Sequence, residues 1–311
     1  MEYDPDQLDS ALKAAQMYYY QNLPMKRIAA ELQVSHSTIS RLLAWARNEG
    51  LIEIRINDVR RRSSPLEELI KLQYQLKAVK VVPVAEVAGE DIWQDRVARI
   101  TANYLNQFME PDIVLGVAVS EMINQVSAYL SPKSLLSGHI VQLNGGEYVP
   151  GSDRQHAGNV ITRFANNYDS MAHLFPIPAF FDHPETKPVL WKESSIKRVL
   201  GFQNRSEVIL FSPEALQAIP IKITTDEIDN LAGCVSNIFI RPDGSFSDIA
   251  LNQQACGPDL TLFQNAERVI CAVSGLDILK VLRGALNGKL LTDLIIDEPT
   301  ARRLVNSFSV H

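Results

Sequence analysis

Between Ser35 and Arg41, every residue except Ile39 carries a hydrogen-bonding side chain: Ser35, His36, Ser37, Thr38, Ser40 and Arg41. Hydroxyls, an imidazole and a guanidinium gathered on one short segment suit the reading of nucleic acid. His36, Ser37, Ser40 and Arg41 could exchange hydrogen bonds with base edges in a major groove. Arg41 could donate in a two-pronged way to guanine, or simply hold a phosphate. Ser35 and Thr38 at the start of the segment suit phosphate anchoring by hydroxyl and backbone N–H.

Such a face works only if a scaffold presents it, and the flanking residues describe one. The string IAAELQVSHSTISRLL, Ile28 to Leu43, has the pattern of a helix-turn-helix. Ala29 or Ala30 is small enough for the point where two helices touch, and Leu32, Val34, Ile39 and Leu42 can fix their crossing. Ser35 is a suitable N-cap for a helix running to about Asn48, which Gly50 stops. Upstream, Leu8, Ala11, Leu12, Ala15 and Tyr19 recur at helical steps within Gln7–Tyr20. Asn22-Leu23-Pro24 breaks that helix, and Pro24 fits the first turn of the next. Ile52-Glu53-Ile54-Arg55-Ile56 alternates as a strand with one buried face should, which adds a small β wing. Gln33 occupies a turn position that usually holds glycine, where a left-handed backbone costs about 1 kcal/mol. A plain three-helix bundle would share the helices. The wing and the local charge favour a DNA reader: Pro24–Arg62 carries eight basic and four acidic residues, a balance of +4 in a chain of net charge −6, so the remainder carries −10.

With 46% hydrophobic and 21% charged residues, the chain has the make-up of a soluble globular protein with apolar mass for a sizeable core. No apolar run approaches the roughly 18–20 residues of a membrane span. The acidic MEYDPDQLDS start lacks the basic and apolar regions of a signal peptide, so a cytoplasmic protein with no membrane partner is expected. Cys234, Cys256 and Cys271 have no metal or redox spacing and read as buried thiols.

Arg60-Arg61-Arg62-Ser63-Ser64-Pro65 reads as a hinge. Ser64, Pro65 and Glu67 then form a helix start: cap, first-turn proline and capping-box glutamate. Beyond it, apolar runs at Val79–Val84, Ile113–Val117, His139–Leu143, Val208–Phe211, Val269–Val273 and Leu294–Ile296 look like buried parallel strands, with Pro83 ending the first or placing it at an edge. Helical stretches around Trp93–Phe108, Glu121–Leu130, Asn159–Tyr168, Leu276–Leu286 and Thr300–Phe308 separate them, the layout of an α/β domain. The expected division is a winged helix-turn-helix over 1–62, a linker helix over 63–78 and an α/β effector-sensing and oligomerisation domain over 79–311.

Three strings together resemble the SorC/DeoR-type sugar-binding transcriptional regulators: SHSTISRLL (Ser35–Leu43), VQLNGG (Val141–Gly146) and Ser274–Val305, with its DE-x-TA element at Asp297, Glu298, Thr300 and Ala301. The resemblance implies an α/β sensor domain akin to sugar-phosphate isomerases, double-stranded operator DNA and a small carbohydrate effector as partners, and a homodimer or homotetramer. Carried over residue by residue, the effector cleft takes in Gly116, Ser120 and Glu121 after the second strand, Asn144, Gly145 and Gly146, then Asn237 at a usually acidic position, and Lys280. Glycines after a strand let backbone N–H groups approach an oxygen-rich ligand, and asparagine offers both donor and acceptor to hydroxyls. Glu121 and Met122 replace the family's first-loop pattern, and Ile278 stands where a lysine is usual. An uncharged sugar or polyol is therefore as well suited as a sugar phosphate. A sugar-phosphate isomerase or deaminase is the alternative, but Asp226, Glu227 and Asp229 read as one helix start, and His156, His173 and His183 have no motif spacing. The sequence assigns no catalytic residue, metal or cofactor.

Overall fold

The computed structural model describes residues 5–20, 23–48, 51, 64–85, 87, 89–146, 157–219 and 230–306. The chain divides into two units, Met1–Arg62 and Ser63–His311.

In the first unit, α1 (Pro5–Ala15) continues through a π-helical turn at Gln16–Tyr20, followed by α2 (Met25–Glu31) and α3 (His36–Asn48). Ala14, Ile28, Ala29, Ile39 and Leu43 are buried together, with Leu32 and Leu42 packed against them. Pro24 stands at the N-cap of α2, one residue ahead of its first turn. The end of α2 is a tight hydrogen-bonded turn: Val34 N–H donates to Ala29 O at 3.0 Å and Gln33 N–H to Ala30 O at 3.4 Å. This Schellman geometry requires a left-handed residue, and Gln33 has φ 55°. Gln33→Gly is accordingly expected to stabilise this unit by about 1 kcal/mol. Chemical denaturation of the isolated 1–62 fragment, or of the full chain if that unit melts separately, checks it; an unchanged or lower midpoint refutes it. The alternating segment Ile52–Ile56 and the basic run Arg60–Arg62 lie outside the described residues.

The helix expected as a linker, α4 (Pro65–Tyr74), is built into the second unit, its Ile70 fully buried in the core there. Its start is a complete capping box: Ser64 Oγ accepts from Glu67 N–H, and Glu67 Oε2 accepts from Ser64 N–H. The other oxygen of Glu67 accepts from Val81 N–H at 2.8 Å. That donor belongs to β1 (Ala78–Val82), a strand at one edge of the sheet, so one carboxylate both starts the helix and satisfies one outward N–H of that edge.

The remaining elements are α5 (Glu90–Leu105), β2 (Val114–Val117), α6 (Glu121–Ser127), β3 (His139–Gln142), α7 (Ala157–Tyr168), β4 (Met171–His173), α8 (Thr186–Leu190), α9 (Ser194–Gln203), β5 (Val208–Phe211), β6 (Gly233–Val235), β7 (Ile238–Ile240), α10 (Thr261–Asn265), β8 (Arg268–Val273), α11 (Leu279–Asn287), β9 (Asp293–Asp297) and α12 (Glu298–Asn306). Seven strands form one sheet in the order β1-β9-β8-β5-β2-β3-β4, and every pairing in it is parallel. Successive residues of the inner strands alternate between two cores. Ile209, Phe211, Val269, Cys271 and Val273 face α4, α11 and α12. Leu210, Ile270, Ala272 and Ile295 face α5, α6 and α7. Burial on both faces is why these strands read as unbroken apolar runs.

Cys234, Cys256 and Cys271 are free and buried, and burial pushes all three thiols up, that of Cys256 to about 12, so none is a thiolate near neutrality. No helix among the described residues is long and apolar enough to cross a membrane.

Candidate functional site

The helix α3 begins at a cluster of hydroxyls. Ser35 Oγ accepts from Thr38 N–H at 3.1 Å and lies 2.7 Å from both Ser37 Oγ and Thr38 Oγ1. This caps the helix, while His36, Ser37, Ser40 and Arg41 stand exposed on the side away from Ile39 and Leu43. Arg27, on α2, is paired with Glu31 at 3.2 Å.

In the second unit, chain order and sheet order locate a topological switch point. From β2 the chain steps outward through β3 to β4, then returns to the other side of β2 and steps outward through β5, β8 and β9. The loops leaving β2 and β5 therefore part in opposite directions, and ligands of open α/β sheets bind at the carboxyl ends of strands at such a switch point. Ser120 and Ser212 stand on the two sides of it.

Four buried side-chain amides hold the backbone together here. Asn144 Oδ1 accepts from Val119 N–H at 2.7 Å and its Nδ2 donates to Val119 O at 3.0 Å, continuing the β2–β3 ladder one step beyond the strands. The same Nδ2 donates to Asn237 Oδ1 at 3.2 Å, and Asn237 Nδ2 donates to Gly145 O at 3.0 Å. Gln142 Nε2 reaches Asn144 O, and Gln203 Nε2, from α9, reaches Gln142 O at 2.8 Å. Asn237 is in the turn of the β6–β7 hairpin, where Ser236 and Asn237 have φ 51° and 70°, the paired left-handed geometry of a type I′ turn.

These bonds engage several of the groups expected at the effector. Gly145 N–H donates to Cys256 O at 2.6 Å and Gly146 N–H to Ile177 O at 3.0 Å, so neither amide is free for a ligand. A Cβ on Gly145 would lie 2.0 Å from Pro178 O; the glycine is needed because two backbones touch. Gly116 lies inside β2 rather than in the loop after it, where a Cβ would meet Ser206 Oγ at 2.7 Å. Asn144 and Asn237 are about 5% exposed, at 4% and 5%, and both spend their amides within the protein. Ser120 caps α6 by accepting from Ile123 N–H, and Glu121 and Lys280 are exposed. Asp297 is fully buried, accepting from Gly275 N–H, Thr300 N–H and Thr300 Oγ, so the DE-x-TA element is a structural joint between β8, β9 and α12.

With this geometry in view, comparison with known proteins is decisive. The family described as "Putative sugar-binding domain" matches residues 60–306. A solved domain of a possible sugar-binding transcriptional regulator from Arthrobacter aurescens TC1 is 33% identical, with TM-score 0.73, covering 80% of this chain and 100% of that one. The chain belongs to the SorC/DeoR-type sugar-binding transcriptional regulators. It is a DNA-binding transcriptional regulator with a sugar-binding domain. The deoxyribonucleoside regulator of Bacillus subtilis (strain 168) is 27% identical over 314 residues, 97% of this chain and 99% of that one. The full-length sorbitol operon regulator SorC from Klebsiella pneumoniae, 22% identical, has the same fold with TM-score 0.77 over 98% of this chain and 100% of its own.

The regulator also carries polar groups here that spacing did not reveal. Ser236 is 4% exposed, and the hydroxyls of Ser236 and Ser274 are shielded from solvent with no hydrogen-bond partner among the described residues. Among the described residues, Ser212 Oγ has only a 3.5 Å contact with Pro213 O. Both Ser212 and Ser274 are the first residue after a central strand, a position visible in the sequence once the strands are placed. His173 is occupied elsewhere: its Nε2 shares a 3.0 Å hydrogen bond with His139 Nδ1 and its ring stacks on Phe202, while burial and then His139 hold its pKa below the ordinary value. His156, Asp226, Glu227 and Asp229 lie outside the described residues.

Proposed function

We propose that the regulator reads double-stranded operator DNA with α3, using His36, Ser37, Ser40 and Arg41 on bases and Ser35 and Thr38 on phosphates. A small carbohydrate effector in the switch-point crevice alters that binding. The carrying observation is the exposed polar face of α3 standing on a buried apolar one. The alternating segment after Gly50 supplies the wing. Each chain has one such helix, too few base contacts for specificity alone, so two or four copies bind with half-sites about one DNA turn, or a multiple of it, apart. Selection of duplexes from a random library by the full-length protein tests this. Enrichment of a two-fold-related sequence is expected; no enrichment, or a single half-site bound by a monomer, overturns it.

Asn144 positions the crevice rather than touching the effector. Asn144→Ala leaves Val119 N–H and C=O without partners, which costs about 1–3 kcal/mol each when such groups stay buried. A lower melting temperature and weaker effector binding are both expected, with effector-free DNA affinity unchanged. Calorimetry and anisotropy on the one variant separate these outcomes, and unaltered stability would rule out the brace.

A further inference from the structure

Ser120, Asn144, Asn237 and the amides of Gly145 and Gly146, all first expected at the effector, are bonded within the protein, while Glu121 and Lys280 are exposed, which leaves open what else recognises the ligand. The hairpin turn gives the answer. Cys234 exchanges two backbone hydrogen bonds with Glu214 on the loop after β5, each 2.9 Å. Asn237, three residues on, is bonded to Asn144 and Gly145 after β3. The turn between them is thus stretched across the carboxyl ends of β5 and β3, with β2 lying between those strands. Ser236 occupies that turn, and its buried hydroxyl has no partner among the described residues. Ser274, the first residue after β8, is the second such hydroxyl at the same end of the sheet. A buried hydroxyl without a partner is rare in folded proteins, because desolvating it costs free energy that only a hydrogen bond recovers.

The charges around these serines select among ligands. A Cβ on Gly275 would lie 3.1 Å from Asp277 Oδ1 and 3.7 Å from Glu90 Oε1, so two carboxylates converge beside Ser274. Glu121 opens α6 directly after the β2 loop, and Glu214 lies on the loop after β5. The described residues of the loops leaving β1, β2, β5 and β8 include no lysine or arginine, and Lys280, the second residue of α11, is exposed. A phosphate needs cationic or multiple N–H donors, whereas carboxylates and hydroxyls together bind sugar hydroxyl groups.

We infer that the effector is an uncharged sugar or polyol whose hydroxyl groups are bonded by Ser236 and Ser274. This rests on the crevice being the effector site. The test uses the full-length chain and a panel of sorbitol, xylitol, erythritol and D-ribose, each beside its terminal monophosphate, in thermal shift and then titration calorimetry. At least one neutral compound binds, its monophosphate binds no tighter, and Ser236→Ala and Ser274→Ala each weaken it by roughly five- to hundred-fold. Ser206→Ala is the control: that hydroxyl is also buried and unpartnered but precedes β5, at the opposite end of the sheet, and its loss leaves affinity unchanged. Tighter binding of the monophosphates, or no neutral compound bound, overturns the inference. Hydrogen exchange of the complex then separates the two levels. Protection at 119–121, 212–215, 235–238 and 274–278 with serine variants that bind normally refutes only the serine contacts; protection confined to other segments refutes the crevice as well.

Discussion

Arg41→Ala is expected to remove most specific DNA binding while leaving the fold and the effector response intact. The guanidinium is exposed and forms no part of the apolar seam of Ile28, Ala29, Ile39 and Leu43, so truncation costs little stability. A lost bidentate base contact costs about 1–3 kcal/mol per half-site, and the effect doubles on a two-fold site if the half-sites act independently. Arg41→Lys keeps the charge and loses the planar fork. If Arg41 reads guanine, both substitutions reduce discrimination at one base pair. If it holds a phosphate, Arg41→Lys is nearly silent, and Arg41→Ala weakens all duplexes alike with a shallower salt dependence. Anisotropy on selected and scrambled duplexes at two salt concentrations gives the answer. Wild-type affinity for both by the alanine variant would remove Arg41 from the interface.

Gly145→Ala should cost at least as much, by a different route. The methyl group would stand 2.0 Å from the carbonyl oxygen of Pro178 and 2.7 Å from its carbon, and backbone cannot swing aside as a flexible side chain can. Relief requires breaking the Gly145–Cys256 or Asn237–Gly145 hydrogen bond, so the loss lies at or above the upper end of the roughly 1–3 kcal/mol typical of overpacking. Gly201→Ala in α9 is the counterpart: its Cβ would meet nothing within 4 Å, and replacing a helical glycine gains about 0.5–1 kcal/mol. Urea denaturation of the two variants should therefore move the midpoint in opposite directions. A Gly145→Ala protein as stable as wild type would show that the approach to Pro178 is not tight in solution.

Much of this architecture is legible in the sequence because it is local. Cap, proline and glutamate at Ser64–Glu67 specify a helix start within four residues, and Val208–Phe211 announces a strand buried on both faces. What escapes is short or distant. Strand β4 is only Met171-Ala172-His173, exposed at an edge and without a β-branched residue, so no apolar run marks it. The β6–β7 hairpin turns on Ser236-Asn237, not the Asn-Gly pair that usually signals such a turn. In the crevice, Asn144 and Gly145 are identifiable as important, but their role is not. Their partners Val119, Asn237 and Cys256 lie far along the chain, the asparagine pair 93 residues apart, and only the folded arrangement shows that these groups are consumed internally.

The brace also governs how the molecule ages. Asn144-Gly145 and Asn287-Gly288 are the chain's two Asn-Gly sequences, the pairing most prone to lose ammonia when the glycine nitrogen attacks the preceding side-chain amide. That attack needs an unengaged nitrogen and a side chain able to turn toward it. Gly145 N–H is held by Cys256 O and Gly288 N–H by Gly284 O at 2.9 Å; the Asn144 amide is fixed on Val119, and Asn287 Nδ2 donates to Pro242 O at 2.8 Å. Both reactive pairs are therefore locked while the chain is folded. Each excursion to the unfolded state exposes them, and a succinimide opening at position 144 would leave a carboxylate, or an isoaspartyl kink, where the ladder beyond β2 and β3 requires a neutral donor. Deamidation at this site thus records the time a molecule has spent unfolded, and it converts a reversible opening into permanent damage at the crevice.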